Sequence, residues 1–216
     1  MLFMFQFFSC LSWRISFLSV CFVLLISSSQ VFAYRSGEPD NFSSALVNAA
    51  IERTKHWVIY DGSYRKIAYP NGDVPSYVGV CTDVVIRSYR ELGIDLQKDV
   101  HEDMASAFST YPNIWGLSRP DKNIDHRRVP NLKAFFQRHG IVLSASDDPT
   151  DYKPGDIVTW VLKKNQPHIG IVIDQKSDDG KRPLIVHNIG WGPEIEDMLF
   201  DYTITGHYRY YGALTD

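Results

Sequence analysis

Cysteine is scarce in this chain, and what little there is sits unevenly. The 216 residues hold three, Cys10, Cys21 and Cys81. No Cys-x-x-Cys or His-Glu-x-x-His spacing offers a ready metal site. Basic residues do not exceed acidic ones, 22 against 25, and the formal net charge is −3. That balance gives no basic footprint for nucleic acid. There is no internal repeat and no low-complexity stretch. Long apolar runs are missing too, with one exception near the start, Ile15 to Ile26.

That exception has the layout of an export signal. Arg14 precedes the apolar run, Ser27-Ser28-Ser29-Gln30 follows it, and Val31-Phe32-Ala33 ends in the small residue that a signal peptidase favours. The expectation is a signal peptide over residues 1–33, with Tyr34 as the mature start. The run is too short for a comfortable membrane span, so no stable insertion is expected after cleavage. Cys21 follows Leu18-Ser19-Val20, a faint lipoprotein pattern, but Val20 is bulky for that role and the apolar run continues past the cysteine. Cleavage would remove Cys10 and Cys21, leaving Cys81 alone. A lone thiol in an exported protein cannot form an internal disulfide, and it suggests a reactive group or an intermolecular bridge.

The segment Gly79 to Gly93 reads as a helix with Cys81 in its first turn. Val84, Val85, Tyr89 and Leu92 recur at helical spacing, and Gly93 suits a left-handed cap. Free N–H groups and the positive end of the helix dipole favour an anion at that position, and thiolate is the nucleophilic form of cysteine. Asp83, two residues on, would oppose a second negative charge, modestly, because side chains two apart do not face each other. The bland alternative is a small buried thiol that only packs.

Residues 34–216 have the length of a single domain. A helix is expected over Asp40–Ile59, an irregular stretch over Tyr60–Val78, a short helix over Val100–Phe108, and another opened by Pro130 and closed by Gly140. Loops entering a nucleophile helix often line a site, so Tyr69 and Tyr77 are candidate wall residues, though each taken singly fits ordinary surface packing. The stretch Pro120 to Arg128 is dense in polar groups and reads first as a solvated loop. Its functional alternative is a substrate clamp from Asp125, His126, Arg127 and Arg128, with an arginine gripping a carboxylate through a forked pair of bonds.

From Pro154 the apolar period becomes two. Strands are expected over Ile157–Leu162, His168–Ile173, Leu184–Ile189 and Thr205–Tyr211. Short loops between them favour an antiparallel meander. With helices first and strands second, the fold class is α+β. Of seven histidines, His56, His101 and His139 are expected to be exposed, His126 belongs to the polar loop, and His207 has no obvious partner. His168 opens a strand beside Gly170, whose missing side chain would let a neighbour such as the Cys81 helix approach. On the next strand His187 and Asn188 point to opposite faces, so only one can meet His168. A cysteine at a helix start, a histidine on a strand and a polar residue on the following strand make a nucleophile, a base and an orienter.

The order Cys81, then Gly155-Asp156-Ile157-Val158-Thr159-Trp160, then His168-Ile169-Gly170-Ile171-Val172, then Val186-His187-Asn188 resembles the papain-like NlpC-type cell-wall cysteine peptidases. The mature chain is also similar to an exported bacterial family described as a domain of unknown function within that superfamily. The resemblance runs from about Tyr60 to the C-terminus. It implies Cys81 as nucleophile, His168 as base, His187 as orienter, the Cys81 N–H as part of an oxyanion hole, and cleavage of an amide in peptidoglycan peptides without a cofactor. It also implies a periplasmic or secreted setting. Two features depart from the pattern: Cys81-Thr82-Asp83-Val84 stands where Cys-Ser-Gly-Phe is usual, and the hairpin before His187 is longer. Three other readings use the same residues: a cell-wall-binding module without turnover, a thiol acyltransferase, and a zinc site of Cys81, His168 and His187.

Overall fold

The computed structural model describes residues 39–212. The expected signal peptide lies outside them. Four helices and a six-stranded antiparallel sheet make a mixed α+β domain. Helix α1, Pro39–Arg53, buries Phe42, Leu46, Val47 and Ala50. It ends six residues before the expected Ile59. The N–H groups of Thr54 and Lys55 turn back three residues, to Ile51 and Glu52. Val58, whose spacing continues the helical pattern, is buried from the segment beyond the helix instead. Two short strands follow, β1 (Ile59–Tyr60) and β2 (Val78–Gly79), paired in parallel.

Helix α2, Cys81–Glu91, is the centre of the domain. Every residue from Cys81 to Tyr89 is buried, including the polar Thr82, Asp83, Arg87 and Ser88. Buried polar groups must find partners, and these do: Ser88 donates to the Val84 carbonyl, Tyr89 to the Tyr210 carbonyl at 2.9 Å, and Arg87 to Asp73 and to main-chain oxygens of the 74–78 segment. Gly93 takes φ +80°, the left-handed cap its position predicts. Helix α3, Leu96–Ala107, starts four residues before the expected Val100, because the Asp95 carboxylate accepts the Gln97 N–H as an N-cap. Helix α4, Val129–His139, has Pro130 in its first turn, as expected. Gly140 closes it with φ −100°, not a left-handed turn. A side chain there would meet the carbonyl oxygens of Phe136 at 2.8 Å and Arg209 at 3.0 Å.

The strands are β3 (Ile141–Leu143), β4 (Ile157–Val161), β5 (Pro167–Lys176), β6 (Pro183–His187), β7 (Glu194–Glu196) and β8 (Thr203–Arg209), in the order β3-β8-β4-β5-β6-β7. Four of these match the expected strands. The edges β3 and β7 escaped the sequence pattern, being three residues each. From β4 to β6 the sheet is the meander expected, but the unexpected β7 extends it and β8, instead of following β6, returns to lie between β3 and β4. One face carries Ile157, Ile169, Ile171, Ile173 and Val186 against α1, α2 and α4. The other carries Val158, Trp160, Val172 and Ile185 under Tyr152, Met198 and Leu199. His207 does have partners: its Nδ1 meets the Ser144 carbonyl at 2.9 Å and its Nε2 the Asp156 carboxylate at 2.8 Å. Among the described residues no helix is long and apolar enough to cross a membrane.

Gly170 permits a close approach, but the neighbour is β6 and not α2. A Cβ there would lie 2.7 Å from Ile185 Cγ2, 2.9 Å from the Val186 oxygen and 3.2 Å from His187 Cβ. Backbone cannot yield as a side chain can, so Gly170→Ala must push β6 away. The expected cost is about 1–3 kcal/mol in urea unfolding. An unchanged midpoint would contradict this packing.

Candidate active site

Cys81 is the first residue of α2, 4% exposed. The chain enters from β2 through Val80 in extended conformation. Asp83, at the third helical position, accepts the Val80 N–H at 2.6 Å and so fixes that entry. The main-chain N–H groups of Ile169 and Thr82 lie near the Cys81 sulfur and favour its anion. The Tyr60 side chain is a near neighbour of the sulfur.

Ile169 follows His168 on β5, so the element that touches the sulfur also carries the expected base. The His168 imidazole is buried, with its Nε2 3.1 Å from His187 Nδ1. His187, not Asn188, therefore faces His168. Asn188 is turned elsewhere, its Oδ1 accepting the Gly190 N–H. The outer nitrogen of His187, Nε2, lies 2.9 Å from Oε2 of Glu196 on β7. The three residues form a chain from the buried centre to a carboxylate that is 45% exposed.

Burial decides the charge states here. The Cys81 thiol is pushed up to about 12, first by burial, with the Asp83 charge adding to it; the nearby main-chain N–H groups offset only part. The helix dipole thus loses to desolvation, and the resting sulfur is a neutral thiol, against the expectation of a stabilised thiolate. His168 is held down to about 3, by burial first and then by His187. Burial also raises the Tyr60 phenol, so it stays a donor. At rest the thiol and the imidazole are both neutral.

The 120–128 stretch is not a solvated loop. Asp125, His126 and Arg127 are buried, the three forming a 3-10 turn. The forked arginine clamp exists, but the carboxylate it grips belongs to the chain. Arg127 donates to both oxygens of Asp83 at 2.8 Å, and its remaining donors reach the carbonyls of Asp61 and Ser63. Removing one partner of so buried a pair costs about 3–5 kcal/mol. Arg128 lies over the Trp115 ring at 3.9 Å and pairs with Asp125. Tyr69 packs edge-on against His101, with its hydroxyl toward Glu102 on α3. Tyr77 is exposed, and its carbonyl accepts the Ile59 N–H next to Tyr60. His56 and His139 are exposed, while His101 is half-buried.

Sequence reading missed Tyr60 and Glu196. Tyr60 sat in a stretch read as irregular, and only its two-residue pairing with β2 brings it to the sulfur. Glu196 stood in an alternation, Glu194-Ile195-Glu196, short enough to pass for a loop. Among the described residues, the donor atoms that gather within 4.8 Å of one another are those of His187, Glu194 and Glu196. They could hold a divalent cation. Cys81, His168 and His187 do not form such a group, which leaves the zinc reading without its geometry.

Two buried histidines make the fold acid-sensitive. His126 and His168 are both held near about 3, against an ordinary 6.5, chiefly by burial. Between those values the unfolded chain binds protons that the folded one refuses. Stability is therefore full above about pH 6.5 and falls as the pH drops toward 3. Each histidine contributes a slope of about 1.4 kcal/mol per pH unit. Urea midpoints should fall from pH 6.5 to 4.5, before most carboxylates titrate. A flat profile over that range would contradict the burial of these rings.

Comparison with known proteins places this geometry in a family. Residues 47–210 match the family described as "Domain of unknown function (DUF1287)". The chain is also similar to "Uncharacterized protein YijF" of Escherichia coli (strain K12), 50% identical over 171 residues, covering 79% of this chain and 83% of that one. Since the matched region holds Cys81, the histidine pair and nearly the whole described domain, this chain belongs to the DUF1287 family.

Proposed function

We propose that the protein is an exported thiol hydrolase that cleaves amide bonds, with peptidoglycan peptides as its substrate class, on a papain-like NlpC-type fold. The observation that carries this reading is the meeting of Cys81 and β5. The sulfur lies near the N–H of Ile169, the residue that follows His168 on β5, and His168 is buried and hydrogen-bonded to His187. In this reading Cys81 is the nucleophile, His168 the base and His187 the orienter, supplied by a helix start and two adjacent strands. Export rests on the N-terminal segment, which would deliver the enzyme to the wall.

The chemistry follows from the charge states. A neutral thiol is a poor nucleophile until its proton leaves. A neutral His168 takes that proton as the sulfur attacks the amide carbonyl carbon, giving a tetrahedral oxyanion. The Cys81 N–H and the Tyr60 hydroxyl would be its donors. Collapse breaks the C–N bond, His168 returns the proton to the departing amine, and a thioester remains on Cys81. Water, deprotonated by His168, then releases the acid and restores the thiol. No step calls for a metal.

A second reading has an observation of its own. A buried cysteine whose thiol is held neutral by burial is also what a packing residue in a non-catalytic wall-binding module would present. One experiment separates the two. Purified peptidoglycan is digested with the mature protein and with Cys81→Ala and His168→Ala, and newly freed amines are counted. The hydrolase reading expects release by the wild type and a loss of at least about a hundredfold in either variant. Equal release from all three would sink it, and wall binding without release would support the module. Adding an amine acceptor shows transfer, if that is the reaction, as a new amide product.

A further inference from the structure

We infer that Glu196 is a positioning residue of this site, setting the tautomer of His187 and through it that of His168, so that the lone pair on His168 Nδ1 is left free for the Cys81 proton. The inference rests on the proposed hydrolase reading and adds a member to it.

The argument is one of donors and acceptors. An ionised carboxylate can only accept. Glu196 Oε2 stands 2.9 Å from His187 Nε2, so that nitrogen carries the proton. A neutral imidazole has one N–H and one lone pair, so His187 Nδ1 becomes the acceptor. That acceptor faces His168 Nε2 at 3.1 Å, which must then be the donor. His168, also neutral, is left with a bare Nδ1. Without Glu196 nothing fixes the direction of the chain. His187 could place its proton on Nδ1 and donate inward, which would drive the His168 proton onto Nδ1 and abolish the base.

Strand register explains how the carboxylate gets there. On the β6–β7 ladder His187 stands opposite Glu194, and Glu196 opposite Ile185, so both carboxylates share the face of His187. The charged or titratable groups facing His187 are His168 from β5 and Glu194 and Glu196 from β7. Glu196 holds the hydrogen bond, while Glu194 is the neighbour whose carboxyl is raised, first by burial and then by Glu196. Glu196 is exposed at the sheet edge, so replacing it should spare the fold.

The test reads the ring nitrogens directly. With 15N-labelled histidine, nitrogen chemical shifts distinguish the two neutral tautomers and the imidazolium. In the wild type at pH 7, both His168 and His187 should carry their proton on Nε2. Glu196→Ala should move a measurable fraction of His168 to the Nδ1–H form and lower kcat by about tenfold to a hundredfold with little change in KM. Glu196→Asp should restore part of both, and Glu194→Gln should alter neither. A Glu196→Ala spectrum identical to the wild type would overturn the inference, as would a wild-type His168 already protonated on Nδ1. Failure of the hydrolase reading would show differently, as wall digestion indifferent to Cys81 and His168, whatever the tautomers.

Discussion

The buried pair of Asp83 and Arg127 is the constraint on which this site depends. Asp83 fastens the entry to α2 through the Val80 N–H, and Arg127 ties that same carboxylate to the carbonyls of Asp61 and Ser63. Those carbonyls belong to the segment just after Tyr60. One ion pair thus sets both the first turn of α2, where the sulfur starts, and the strand end that holds a hydroxyl over it. An isolated buried carboxylate would be prohibitively costly. The forked pair of bonds from Arg127 makes it tolerable, and two further bonds to carbonyls leave that guanidinium a single N–H unused.

The same carboxylate acts on the chemistry. Its charge, added to the burial of the thiol, outweighs the N–H groups and helix dipole that would favour thiolate. A site arranged this way stores no reactive anion at rest. In the proposed mechanism, activation belongs to the moment when substrate covers the sulfur and His168 accepts its proton. That places weight on the protonation state of His168, and on the chain through His187 to Glu196 that defines it.

Much of this was legible in the sequence, and for identifiable reasons. The helix at Cys81, the strands at His168 and His187 and the α+β order show in local periodicity, because long buried elements must repeat their apolar residues. The choice of His187 over Asn188 was reduced by alternation to one of two. What stayed hidden depends on contacts far apart in the chain. Polarity alone made Asp125, His126 and Arg127 look solvated, since nothing local announces that Arg127 would find Asp83 some forty residues away. Tyr60 and Glu196 reach the site from two- and three-residue strands, too short to carry a period. The return of β8 to β4 is likewise a matter of tertiary pairing.

The most direct measurement is of a covalent intermediate on Cys81. The protein, turning over purified peptidoglycan peptides, is quenched in acid and its intact mass recorded, with the modified residue located by peptide mapping. The account predicts an acyl adduct on Cys81, held longer as an ester in Cys81→Ser and missing from Cys81→Ala. Turnover with no adduct at any quench time, or an adduct on another residue, would contradict it.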